Sequence, residues 1–293
     1  MGGAAMTSRF ATPPFTLPRF ALGLCDDAAV FPPGLAPLAD AVPAHRDHRA
    51  AAYAGLVGPL VLPATALDAL YPLLGGEPLD VSITAPNGPC EAAKAVGVAA
   101  DLPVEVRGLE VAVPPGMDPE EFFRVLGRPG VPVYVEIPRD ERRPAFIEAV
   151  AARGDRAKFR TGGVKAHLYP GPDELAAAVT AVVAAGVPFK ATAGLHHPVR
   201  NTDPETGFHQ HGFLNLLLAT DAALGGRPDA ELAAVLADRD APSVAARVAE
   251  LGEARTAAAR ARFLSFGTCS ITDPLTELAD LGLLGSALLE TSR

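Results

Sequence analysis

Tryptophan is absent from this 293-residue chain, and aromatic residues make up only 6% of it. A core of any size must therefore be built mainly from aliphatic side chains. Cysteine is scarce: Cys25, Cys90 and Cys269 are odd in number and far apart. That pattern gives no disulfide framework and no zinc-finger spacing, and fits a reducing compartment. Cations are also in deficit, 25 Lys and Arg against 34 Asp and Glu, for a net charge of −9. Such a balance argues against nucleic acid and anionic membranes as partners. Long apolar runs are missing too. The most apolar window, Leu175 to Phe189, is too short to span a bilayer, and the first 20 residues hold no continuous apolar core of signal-peptide length. A cytoplasmic protein is the expectation. Neither Gly-x-Gly-x-x-Gly after the first strand nor His-Glu-x-x-His occurs, so a dinucleotide crevice and a helix-borne zinc pair lack their signatures.

What is present is a regular rhythm. Residues 1 to 20, with a proline-rich stretch from Ala11 to Pro18, read as a loose arm. A short strand ending at Asp26-Asp27 follows, then a helix over Asp47 to Gly55. Apolar strands are predicted at Leu56–Pro63, Leu79–Ala85, Val104–Val113 (interrupted at Gly108), Val131–Ile137, Arg156–Thr161, Val187–Ala193 and Arg262–Thr268. Helices alternate with them, at Ala64–Leu74, Pro89–Ala99, Asp118–Leu126, Pro144–Arg153 and Asp173–Ala185. Apolar strands separated by amphipathic helices imply parallel βαβ units. The count suits an α/β (β/α)8 TIM-type barrel, whole or else incomplete or distorted, occupying residues 21–293, with a doubly wound open sheet as the alternative. From about 195 to 262 the rhythm gives way to a helical insertion after the strand at 187–193.

Two of these strands carry cations in their middle: Lys158-Phe159-Arg160-Thr161-Gly162-Gly163 and Lys190-Ala191-Thr192-Ala193-Gly194. Side chains alternate across a strand, so Lys158 and Arg160 share a face, as do Lys190 and Thr192, and Tyr134 and Glu136 upstream. The helix-facing side of a barrel strand must be apolar, which sends the charges inward. A lysine there is costly unless paired or used. It can act as an imine-forming nucleophile. It can also hold an anion together with Arg160, Thr161, Thr192 and the backbone of Gly162, Gly163 and Gly194. A purely structural network of Lys158 and Lys190 with Glu110 and Glu136 is the third reading.

The same segments resemble class I aldolases of the deoxyribose-phosphate aldolase type, over about residues 104 to 195. That family carries Lys-Thr-Ser-Thr-Gly and, one βα unit later, Lys-Pro-Ala-Gly-Gly, with an upstream strand ending in Glu. The resemblance implies a Schiff-base barrel in which Lys158 is the nucleophile and Lys190 the cation that depresses its pKa. Glu110 is a looser counterpart of the family's acid/base aspartate. Arg160 stands where the family has a small polar residue.

Four of the seven histidines fall between 196 and 211. His196 or His211 is a candidate proton carrier beside Lys158, Lys190 and Glu136, with Arg200 and Asn201 as further substrate contacts. Alternatively His196, His197, His209 and His211 bind a divalent metal for a hydrolase or lyase; otherwise no cofactor is called for. Asp26-Asp27 and the His45–His48 stretch read as solvated helix starts, and Cys269 as small apolar filling. The expected activity is that of a lyase on a small anionic or carbonyl metabolite. The non-enzymatic alternative is a metabolite-binding or partner barrel, and a homo-oligomer is left open.

Overall fold

The computed structural model describes residues 16–289. Eight parallel strands close into a barrel in the order β1-β10-β7-β6-β5-β4-β3-β2. The strands are β1 (Cys25–Asp27), β2 (Val57–Pro63), β3 (Leu79–Ala85), β4 (Val104–Ala112), β5 (Val133–Glu136), β6 (Arg156–Arg160), β7 (Phe189–Thr192) and β10 (Phe263–Thr268). A separate antiparallel hairpin, β8 (Asn201–Thr202) with β9 (His209–Gln210), lies in the insertion after β7. This is the expected α/β barrel, and its eighth strand is the N-terminal one. Gly108 does not break β4: the strand runs through it, and a register shift between Val81 and Ser82 takes up the extra residue as a bulge.

Helices follow the strands: α1 (Leu38–Ala50), α2 (Leu67–Leu70), α3 (Pro89–Ala100), α4 (Pro119–Leu126), α5 (Arg143–Arg153) and α6 (Pro172–Ala184). After the hairpin come α7 (Phe213–Leu224), α8 (Asp229–Ala237), α9 (Ala241–Ala249) and α10 (Gly252–Arg260), and α11 (Thr272–Asp280) follows β10. Asp118 caps α4 by accepting from the Glu121 amide at 2.8 Å, and Pro119 occupies its first turn. The helix expected over Asp47 to Gly55 starts earlier, at Leu38, and its last turn is followed by a 3-10 turn at Ala54–Leu56. The prolines before and within α1 mask its start in the sequence. The arm is described only from residue 16, where Phe20 and Ala21 are buried; residues 1–15 lie outside the description. No helix among the described residues is long and apolar enough to cross a membrane.

The helix-facing side of the strands is apolar and buried: Leu60 and Leu62, Val81 and Ile83, Leu109 and Val111, Val133 and Val135, Phe159, Phe189 and Phe266. Phe189 sits between Phe159 and Phe263, with ring centroids at 5.3 and 5.5 Å. Such aromatic contacts add to area burial. Truncating Phe189 to Ala should cost about 3–5 kcal/mol, read as a lowered urea midpoint with an unchanged m-value.

Candidate active site

With the apolar residues facing the helices, alternation sends Asp26, Ser82, Glu110, Tyr134, Glu136, Lys158, Arg160, Lys190, Thr192 and Ser265 into the barrel. Contacts between strands that are not neighbours bear this out for Lys190 with Glu110 and Asp26 and for Lys158 with Glu110. Lys190 Nζ on β7 lies 2.6 Å from Glu110 Oε1 on β4 and 2.5 Å from Asp26 Oδ2 on β1. Lys158 Nζ on β6 lies 3.1 Å from both Glu110 Oε2 and Glu136 Oε2. Arg160 Nε donates to Glu136 Oε1 at 2.8 Å. The result is one chain of alternating sign: Asp26, Lys190, Glu110, Lys158, Glu136, Arg160. Ser265 donates to Asp26 at 2.8 Å and Ser82 to Glu110 at 2.7 Å. The Lys190 ammonium also stands 5.4 Å from the Tyr134 ring centroid.

The electrostatics follow from this order. Burial alone would push Glu110 up, but Lys190 and Lys158 together bring it down to about 2. Glu136 is likewise buried, and Lys158 and Arg160 bring it to about 2. For Lys190, burial disfavours the cation, yet Asp26 and Glu110 outweigh it and hold the ammonium above its ordinary range. Lys190 is therefore not a bare positive charge beside Lys158. It meets Lys158 through Glu110, which touches both.

Asp26 is the residue the sequence reading missed. It is a buried strand residue rather than a solvated helix start, and so is Asp27, whose Oδ2 lies 2.9 Å from buried His45 Nδ1. Room for the Asp26 carboxylate is made by Gly58, where an added Cβ would come within 2.2 Å of Asp26 Oδ1. A small residue facing an acidic one on the next strand is a weak signal, and a single sequence does not single it out.

A cavity of about 380 Å³ opens above this network at the carboxyl ends of the strands, where barrel sites form. Lys158, Lys190, Arg160, Glu110, Glu136 and Thr192 supply its polar wall, and His196 and Cys269 also line it. Cys269 is thus no mere filling: its Sγ lies 3.6 Å from His196 Nδ1, and burial raises its thiol pKa. Burial, with His197 nearby, lowers the His196 pKa, favouring the neutral ring.

Other expected site residues lie elsewhere. His211 is fully buried, donates from Nε2 to the Pro170 carbonyl at 2.8 Å and accepts at Nδ1 from Arg200 at 3.1 Å. Burial takes it down to about 4, so it is a neutral brace for the hairpin and not a proton carrier in the cavity. Arg200 and Asn201 border a separate surface depression with His197. His197 pairs with Glu277 at 2.7 Å, and that bond raises its pKa. His209 packs on Thr202 and Arg239. The four histidines thus disperse, and no group of three or more His, Cys, Asp or Glu among the described residues could hold a metal ion. Thr161 turns its hydroxyl to the Ala193 carbonyl at 2.7 Å. Gly162 and Gly194 face each other beneath the Tyr169 ring, so closely that a Cβ on either would meet that ring at 2.8 Å. Close chain packing requires these glycines, and neither they nor Gly163 line the cavity.

No protein-family model matches the chain, and no curated protein matches it. Among solved structures it is similar to a nitroalkane oxidase from Streptomyces ansochromogenes, at 17% identity and a TM-score of 0.37. That match covers 72% of this chain, which spans 65% of the other. Similarity at this level carries no inference about activity.

Replacing Lys190 with Met would leave Asp26 a buried carboxylate with no cation and Glu110 with Lys158 as its one remaining cation. The variant should lose about 3–5 kcal/mol at pH 7. Burial already raises the Asp26 pKa and loss of Lys190 raises it further, so the Asp26 penalty is present at neutral pH and relieved as pH falls and it protonates. Urea unfolding at pH 7 and pH 5 should show the deficit against wild type narrowing at the lower pH.

Proposed function

We propose that this barrel is an enzyme and that Lys158 forms an imine with a small carbonyl substrate, as a lyase of the aldolase kind does. The observation that carries the reading is the placement of Lys158: buried, on the cavity wall, with two carboxylates each 3.1 Å away. Imine formation requires the amine to lose protons and the carbonyl oxygen to gain them and leave as water. Glu110 and Glu136 stand where protons can be handed between Lys158 and that oxygen. The low pKa that both carboxylates share keeps them ionised, so they orient the Lys158 amine and hold its proton only in passing. Lys190 and Asp26 act one layer deeper, fixing Glu110 in position. His196, held neutral at the cavity edge, is the candidate for moving a proton at the substrate carbon.

A second reading has a specific observation behind it. Each lysine already bridges two carboxylates, as in a network that only shapes a binding cavity. Such a barrel would bind a metabolite without turnover.

Incubation with pyruvate, glyceraldehyde 3-phosphate and medium-chain oxo acids, followed by borohydride reduction and intact-mass measurement, separates the two. The imine reading expects a single adduct, mapped by peptide fragmentation to Lys158 and lost in a folded Lys158→Arg variant. An adduct on another lysine, or none with any carbonyl, would favour the binding barrel.

A further inference from the structure

The cavity has two unlike walls, and the barrel order sets them opposite each other. In the ring of strands β6 lies across from β2, β5 from β1 and β7 from β3. On the β5–β7 side stand Glu136, Lys158, Arg160 and Thr192; on the β1–β3 side stand Phe31, Pro32, Val61, Pro63 and Pro86. A cavity split in this way suits a ligand with one polar end and one apolar end.

The polar end is specified further. Three cations, Lys158, Lys190 and Arg160, line the cavity against two carboxylates, Glu110 and Glu136, while Asp26 lies behind Lys190. With Asp26 counted, the three cations and three carboxylates balance, so what is left toward the ligand is unused hydrogen-bonding capacity and not net charge. It belongs to Arg160, whose Nη1 and Nη2 make no hydrogen bond to any described residue. Beside it on the neighbouring strand, as its register partner, Thr192 has a buried Oγ1 with no partner among the described residues. A buried hydroxyl without a partner is uncommon and points to a ligand group. Arg160 and Lys158 rest on the two oxygens of one carboxylate, Glu136, so their nitrogens lie side by side. That spacing suits a carboxylate and a carbonyl on adjacent carbons. A phosphate would ask for more donors than one guanidinium and one hydroxyl, and neither Gly162 nor Gly194 lines the cavity to add a backbone amide.

We infer that the ligand of this cavity is a 2-oxo acid with an apolar aliphatic or aromatic substituent. Its carboxylate sits on Arg160 and Thr192, its carbonyl faces Lys158 and its tail lies along Phe31, Pro32, Val61 and Pro86. The inference deepens the imine reading of the same cavity and rests on it for the role of Lys158, but not for the polarity of the walls.

Calorimetry with carbonyl-free probes tests the walls separately from the chemistry. 2-Hydroxyoctanoate should bind the full-length protein at least about tenfold more tightly than lactate. Arg160→Gln should weaken 2-hydroxyoctanoate by about tenfold or more while leaving octan-2-ol unchanged. Phe31→Ser should erase most of the preference for 2-hydroxyoctanoate over lactate. In borohydride trapping, 2-oxooctanoate and phenylpyruvate should give more adduct than pyruvate or glyceraldehyde 3-phosphate. If 2-hydroxyoctanoate binds no better than lactate, fails to bind, or is indifferent to Arg160, the inference falls. Trapping with glyceraldehyde 3-phosphate but not with 2-oxooctanoate would overturn it and leave the imine standing. Tight binding of 2-hydroxyoctanoate without any imine would do the reverse.

Discussion

Six charges alternating in sign across the inside of the barrel are the constraint on which the remaining features depend. A barrel interior is ordinarily filled by branched apolar side chains in layers. Here Asp26, Lys190, Glu110, Lys158, Glu136 and Arg160 occupy it, each touching a charge of the opposite sign. Taking any one of them out of water is expensive, and only the geometry of the whole series offsets it. The supporting residues serve that geometry. Ser82 and Ser265 satisfy remaining oxygens, Gly58 leaves space for one carboxylate, and Gly108, having no Cβ, leaves room for Ser82 and Tyr134.

This arrangement explains why the polar wall is so unevenly exposed. Asp26 lies behind Lys190, and Lys190 and Glu110 meet the cavity while almost fully buried, whereas Arg160 reaches it with half of its guanidinium uncommitted. The series is neutral as a whole but not along its length: it presents an unfilled donor at its outer end and none at its inner end. Position in the series, more than residue type, distinguishes a cation that fixes structure from one that can meet a ligand.

Much of this was legible in the sequence, for a physical reason. Strand alternation is local, so Lys158, Arg160, Lys190 and Glu136 could be assigned to one interior face from their spacing alone. The barrel followed from the regular exchange of apolar strands and helices. Asp26 was not legible as a site residue, because β1 is only three residues long and carries too little periodicity to reveal which way it faces. The histidines misled for the opposite reason. Their clustering is a property of the chain, whereas the hairpin at Asn201–Thr202 and His209–Gln210 turns consecutive residues toward different neighbours. Glycines that look like an anion cradle beside Lys158 prove to be needed where two chain segments and an aromatic ring crowd together.

The short strand β1 has a role beyond completing the ring. It pairs with β10 on one side and β2 on the other, and it brings Asp26 to a lysine 164 residues away. Until β1 docks, Lys190 lacks one of its two carboxylates, and the interior carries an uncompensated positive charge. Mechanical closure and electrostatic neutrality are therefore reached in the same step. A contact of such long sequence range is favoured only once much of the intervening chain is ordered. A ring left open at β1 is thus a ring whose centre carries unbalanced charge.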